Sequence, residues 1–538
     1  MSRPTSGSTV SPTPAVPDTP AIAGRGRGHI RAAGLVGALT VAGALLGFVR
    51  DLTIARFFGA TAETDAFFVA WTIPETASPL LMEGAMAALL VPLFSHELTR
   101  VGSFKAALSG VLLPLLGVLV ALTALTAVGA SVVVDLLAPG IAERELAIRG
   151  VRVTSLTVLM IGLSGYCMAA LRSKDIFGWP ASVYVAYNVG IITVILVLHE
   201  RLGVFSASVG LAVGAALMIA IQLPVFVRAV GVPRPTVRLP AELRERLSVF
   251  VPLASFTIAR HGQVYVERVV GSLLSAGTLS QLNYAAKVGQ IPMLLALTVS
   301  AVTFPALSRA AAAGEEDRLR SLAERNLRLV TFLLLPAMAV LIVFPGQIVA
   351  MLFERGAFTS VDTDATAEIL RVYSLGLLGQ VLVGVSLQIL VAVPGKTWRP
   401  ARSAALGLVL TALIAVPAAA LIGAPGIALG NALGISLMAV LMLRSMQRRG
   451  IALHRARLTR HFARCGAAAL AASVVAVAVG TLTKAVIAGA LLDVSVLVLG
   501  GGSLVLVYLL LARAMRVEEA GGLLTLARRL RPRASSTD

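Results

Sequence analysis

Polar positions in this chain are sparse and come in short groups. Between them lie apolar stretches of about 20 residues or more, the length a helix needs to cross hydrocarbon. Fourteen such stretches can be marked: 32–52, 65–94, 106–137, 151–171, 178–198, 204–227, 248–274, 279–305, 329–353, 367–394, 403–422, 424–443, 465–489 and 494–512. The second and tenth are long enough to be kinked. The second carries Pro74 and Pro79, and proline breaks the helical hydrogen-bond ladder.

Composition narrows this pattern to one class. Of 538 residues, 57% are hydrophobic and 14% charged, and the mean hydropathy is +0.88. A soluble fold could not hide that much apolar surface, so the expectation is an all-α polytopic membrane protein. The first 28 residues are rich in Pro, Ser, Thr and Gly. They lack the apolar core of a signal peptide and read as a disordered tail. Cys167 and Cys465 each lie inside an apolar run and are expected to be free buried thiols.

The net charge of +19 would suit nucleic acid, but its distribution points elsewhere. With the N-terminus inside, 34 of the 46 Lys and Arg residues fall in the tails and connectors on the cytoplasmic side, as the positive-inside rule requires. These basic residues set topology and attract anionic lipid; no nucleic-acid partner is expected. Arg260, Arg268 and Lys287 are the three that fall within spans seven and eight. GEEDRLRSLAERNLR (314–328) mixes signs at helical spacing and is expected to form a helix on the cytoplasmic surface.

The expected organisation is a tail (1–30), a lobe of six helices (31–228), a connector (229–247), a second six-helix lobe (248–444), a basic loop (445–464), two further helices (465–515) and a closing tail (516–538). Charged residues within spans concentrate where each lobe opens: Arg50, Asp51, Asp65, Glu75 and Glu83 in the first two, and Arg260, His261, Glu267, Arg268 and Lys287 in the seventh and eighth. Intramembrane charges face a bundle interior or a wet cavity, and pair. Two lobes facing a shared polar cavity follow.

Arg50, Asp51, Asp65, Glu83, Arg260 and Lys287 are the residues singled out to meet substrate there. Each has a plainer reading. Arg50 and Asp51 could neutralise each other at a helix end. Glu83 could serve as a proton-linked switch or bond the broken backbone near Pro79. Arg260 and Glu267, two turns apart on one face, could pair with a neighbouring helix. Lys287 could snorkel toward the interface. The glycines at 500–502 suit close helix packing.

The stretch LLGFVRDLTIARFFGATAETDAFFVAWTIPE (45–75), followed by MEGAMAALLVPLFS, resembles the opening of the MurJ (MviN) family of lipid II flippases; NYAAKVGQIP and FPALS resemble that family's eighth helix. The resemblance implies two six-helix lobes around a cationic cavity and a tail groove formed by the last two helices. It also implies a polyprenyl-diphosphate-linked glycan as cargo, with arginines in helices one, two and eight meeting the diphosphate. Here the chain departs: Ala44 stands where many members have arginine, Ser78 and Pro79 stand in place of a basic pair, and Lys287 replaces the arginine of helix eight.

A flippase moving lipid II to the outer leaflet of the plasma membrane is therefore the expectation, with both termini cytoplasmic. The alternatives are a paralogous exporter of another lipid-linked glycan or amphipathic metabolite, and a non-transporting envelope scaffold. Membrane lipids and cell-wall synthesis proteins are the other expected partners. Short outer loops without HExxH or a nucleotide loop exclude an enzyme, and neither cofactor nor metal is expected.

Overall fold

The structure, a computed structural model, describes residues 26–521 apart from 83, 99–102, 235, 237–240, 394–397, 450, 488 and 490. The described residues are helical with no strand. The first bundle comprises α1 (Gly26–Phe58), α2 (Ala62–Leu81), α3 (Gly84–Leu98), α4 (Ser103–Val128), α5 (Ala130–Leu137), α6 (Arg144–Ser173), α7 (Gly178–Leu202) and α8 (Phe205–Val230). The second comprises α9 (Ala241–Ser272), α10 (Thr278–Ala312), α11 (Glu316–Val343), α12 (Pro345–Phe353), α13 (Ser360–Tyr373), α14 (Leu377–Ala392), α15 (Arg399–Ile422) and α16 (Ala424–Gln447). Then come α17 (Arg455–Val486), α18 (Leu492–Val496) and α19 (Gly502–Ala514).

Twelve helical segments among the described residues are long and apolar enough to cross a membrane. α9 and α10 have the length, at 32 and 35 residues, but are not among the twelve. They hold the charges that the sequence placed in spans seven and eight. The count of fourteen includes both.

The kinks fall where residue chemistry puts them. In the second span α2 ends at Leu81, two residues after Pro79. The tenth is interrupted at Ser374–Gly376 by a single tight turn. α2 starts cleanly: Thr61 caps it by accepting from the Thr64 N–H at 3.3 Å, and Glu63 and Asp65 sit in its first turn, favoured by the helix dipole.

Within each bundle, helices approach closely at small residues, as packing without a hydrophobic driving force demands. α15 and α16 meet along Gly407, Gly430 and Gly434, where an added Cβ would strike the facing helix. Gly190 and Gly214 do the same for α7 and α8. Of the three glycines at 500–502, Gly500 carries the close contact: a Cβ there would lie 2.5 Å from the Phe344 ring. Gly480 faces the same ring, so Phe344 seats the last two spans on the second bundle. Both cysteines are free and buried.

One expectation is corrected. The mixed-charge stretch 314–328 is not a separate surface helix: from Glu316 it forms the first turns of α11, continuous with the span behind it. Its outward residues pair locally, Arg318 with Glu315 and Arg320 with Asp317, both at 2.9 Å. Glu324, Asn326 and Arg328 turn inward instead. Glu324 accepts from the His454 backbone at 2.7 Å, and Arg328 pairs with Glu518 and Glu519 at 3.1 and 3.0 Å. Buried on one side, the stretch cannot float on a surface; it fastens 454–461 and 518–519 to α11.

Candidate functional site

α1, α2, α3 and α5 of the first bundle face α9, α10 and α12 of the second. At the end of the seam carrying residues 56–65, side chains and backbone groups close the bundles together. The Ala357 N–H donates to Arg56 O at 2.8 Å, and the Tyr284 hydroxyl donates to Gly59 O at 3.1 Å. Gly277 has φ +90°, and a side chain there would run into Ala60 O; only glycine fits both the turn and the approach.

Asp65 completes this closure. Its carboxylate accepts from the Gly277 N–H at 2.8 Å, the Ser280 N–H at 2.8 Å and the Ser280 hydroxyl at 2.6 Å. Asp65 thus caps the first turn of α10 from the opposite bundle. The orphan N–H groups and positive end of that helix meet a buried anion. Behind the cap, Phe68, Tyr284, Phe353 and Phe358 stack at 5.2 to 5.6 Å between ring centres. They form an apolar plug across the seam.

Further in lies the charged layer. Arg50 donates through Nε and Nη2 to Asp51 Oδ1 at 3.0 and 2.7 Å, and through Nη1 to Asn188 Oδ1 at 2.9 Å. Its guanidinium lies 4.1 Å from the centre of the Trp71 ring. Asn188 donates in turn to Gly43 O and Tyr184 O. The pair is buried, and its hydrogen bonds are short and charge-assisted. Arg50 and Asp51 also line a cavity of about 240 Å³ with Gly47, Phe48, Lys287 and Gln290, so α1 and α10 share one pocket.

Glu75, on α2, faces two cations of the second bundle: Arg268 Nη2 on α9 and Lys287 Nζ on α10, each at 3.7 Å. Both separations exceed hydrogen-bond length, and Glu75 Oε2, though buried, has no hydrogen-bond partner. Arg268 is the largest fully buried side chain among the described residues; it reaches Thr72 Oγ1 at 3.3 Å and Leu279 O at 3.4 Å. The Tyr265 hydroxyl donates to Thr76 Oγ1 at 2.8 Å beside them.

The structure therefore gathers Arg50, Asp51 and Lys287 around one pocket and puts Asp65 at the closed end of the seam. Arg260 and Glu267 share a face of α9, as their spacing predicts, but do not bond each other. Glu267 accepts from Asn431 Nδ2 on α16 at 2.5 Å. Half-buried Arg260 makes no hydrogen bond or ion pair with another described residue. Glu83 lies outside the described residues. Sequence reasoning noticed Glu75 and Arg268 as charged but did not select them. The available signal was that Glu75 follows Pro74 inside an apolar run, where a charge needs a partner. No group of three or more His, Cys, Asp or Glu able to hold a metal occurs among the described residues.

Two helical bundles meeting across a polar layer, sealed at one end, define a membrane transporter of the alternating-access kind. A family model described as "Lipid II flippase MurJ" matches residues 54–497, and the chain belongs to that family. The lipid II flippase MurJ of Burkholderia cenocepacia is 28% identical over 363 residues, covering 65% of this chain and 70% of that protein. The probable lipid II flippase MurJ of Vibrio cholerae is 29% identical over 375 residues, with the same shares covered. Among solved structures, a lipid II flippase MurJ in an inward closed conformation superposes with a TM-score of 0.74 at 23% identity, covering 89% of this chain and 98% of that one. An inward-facing multidrug resistance MATE family transporter of the MOP superfamily gives 0.64 at 14%, covering 78% and 98%. These families are transporters, not catalysts.

Proposed function

We infer that this protein carries lipid II, an undecaprenyl-diphosphate-linked glycan, from the cytoplasmic to the outer leaflet of the plasma membrane. The observation that carries the reading is the layer of Lys287, Arg268, Arg50 and their acids between two bundles whose far end Asp65 holds shut. A diphosphate cannot cross hydrocarbon; positive partners in a polar path lower that barrier, while the polyprenyl chain stays in lipid. Within this reading Lys287 and Arg268 meet the diphosphate. Arg50 and Asp51 shape the pocket wall, Asp65 keeps the outer gate, and Arg260 belongs to the same path; Glu83, outside the described residues, is proposed for it from the sequence alone. The lobes are 31–228 and 248–444, with 465–515 beside the lipid tail.

The cytoplasmic placement of both termini is supported by the Lys and Arg bias of the loops on that side. An inside-negative membrane potential then favours return of the empty, net-positive cavity inward. The test is growth of cells depleted of their own lipid II flippase. Expression of this protein is expected to restore growth; a protein present in the membrane that fails to do so refutes the reading.

A second reading, export of another polyprenyl-diphosphate glycan, is favoured by Lys287 and Ser78. Lysine lacks the fork that grips phosphate. Ser78 contacts the Tyr184 hydroxyl at 3.4 Å and brings no charge. Arginine at both positions is then expected to create or raise lipid II activity; no gain counts against this second reading.

A further inference from the structure

Among the described residues, Glu75 is the acid of the charged layer left without a task. Asp51 is committed to Arg50, Glu267 bonds Asn431 and Asp65 caps α10. Glu75 instead stands between the two cations assigned to the cargo and satisfies neither. Its oxygens stop 3.7 Å from Arg268 Nη2 and 3.7 Å from Lys287 Nζ. A committed charge-assisted bond closes to about 2.7–2.9 Å, as Arg50 and Asp51 do at 2.7 Å in the same layer. One of its oxygens is buried and unpaired, a condition proteins rarely leave unexplained.

We propose that Glu75 is the resident counter-anion of the transport path: it holds Arg268 and Lys287 when the path is empty and yields them to the cargo's diphosphate. The inference rests on the reading that the cargo carries a diphosphate. Charge supports it. Two cations and one carboxylate leave a single positive charge, whereas a polyprenyl diphosphate linked to its glycan brings about two negative charges and several acceptor oxygens. With the carboxylate displaced, the two cations match the ligand. Access supports it as well. Glu75 and Lys287 side chains retain 19% and 17% of their exposure, and Lys287 lines the pocket shared with α1.

Position adds a consequence. Glu75 sits on the first bundle and both cations on the second, so the pair also ties the bundles together at mid-seam. A diphosphate that takes over Arg268 and Lys287 releases that tie while Asp65 still holds the far end. Cargo binding is then an exchange of anions coupled to loosening of the seam. A fixed structural bridge would have no such exchange.

The experiment uses the full chain in lipid nanodiscs with undecaprenyl diphosphate as probe. Wild type is expected to bind it, Glu75→Gln to bind it about tenfold tighter by removing the competing charge, and Lys287→Ala to bind it more weakly. Should Glu75→Gln not fold, Glu75→Asp replaces it: the shorter side chain cannot serve both cations, and tighter binding by about threefold is expected. Equal or weaker binding by the folded Glu75 variant, with wild type binding, overturns the exchange and leaves the cargo reading standing. Absence of binding by wild type and every variant overturns the cargo reading and the exchange with it.

Discussion

Asp65 and Ser280 meet across the two bundles, hydroxyl to carboxylate at 2.6 Å, although 215 residues separate them. The same carboxylate oxygen accepts the Ser280 N–H, and its partner oxygen accepts that of Gly277. A single side chain of α2 therefore supplies the N-terminal cap of α10. Opening this end of the seam means uncapping a helix.

Replacing Asp65 is accordingly expected to favour the open form. Hydrogen bonds to a charged group contribute about 1.5–3 kcal/mol each, so Asp65→Ala should remove several kcal/mol from closure, and Ser280→Ala about 1–2 kcal/mol. Cysteines placed at Ala60 and Ala276 should react faster with a membrane-impermeant reagent in both backgrounds, Asp65→Ala most. Unchanged labelling would show that the cap does not hold the gate.

Gly277→Ala tests the same closure through the backbone. Alanine must adopt φ near +90° and lean on Ala60 O, a strain of about 1–3 kcal/mol. Faster labelling at the same cysteines and a lower melting temperature are expected.

For Arg50 the prediction is a strong loss that lysine does not rescue. Arg50→Ala leaves Asp51 buried without its partner, which costs about 3–5 kcal/mol. Arg50→Lys keeps the charge but cannot serve Asp51, Asn188 and the Trp71 face together. Both should fail in flippase-depleted cells, and the thermal stability of Arg50→Ala should fall more than that of Arg50→Lys.

Docking of residues 517–521 should depend on pH. The hydrogen bond from Arg457, at 2.7 Å, holds the Glu518 carboxyl below its ordinary range. Because the folded value is depressed, the stabilisation is complete above the ordinary carboxylate pKa of about 4.3 and is lost as pH falls through the lower folded value. Protection of 517–521 against hydrogen exchange, taken relative to the intrinsic rate at each pH, should fall in acid below that point, and Glu518→Gln should show the same loss of protection at neutral pH.

Much of this architecture is written in local patterns. Apolar runs marked the spans, Pro74 and Pro79 the break in the second, and isolated charges the layer where the bundles meet. What stayed hidden depends on contacts between distant segments. Asp65 was legible as an intramembrane acid, but nothing near it in sequence announces Gly277 and Ser280. Glu75 and Arg268 lie 193 positions apart, and only packing of α2 against α9 makes them partners. Arg260 and Glu267 show the converse: their shared face was correctly read, yet that face carries Glu267 to Asn431 on α16. The stretch 314–328 looked like a surface helix because its charges alternate; burial of Glu324 and Arg328 against 454–461 and 518–519 decided otherwise.

Lipid II on the outer leaflet of cells depleted of their own flippase, measured with an externally added enzyme that cleaves it, reports the proposed transport. Expression of this protein is predicted to restore cleavable lipid II, and the Arg268→Ala, Lys287→Ala double variant, reaching the membrane equally well, to abolish it. Lipid II that stays protected with the unaltered protein present, or that is exposed equally by the double variant, would refute transport of lipid II through this charged layer.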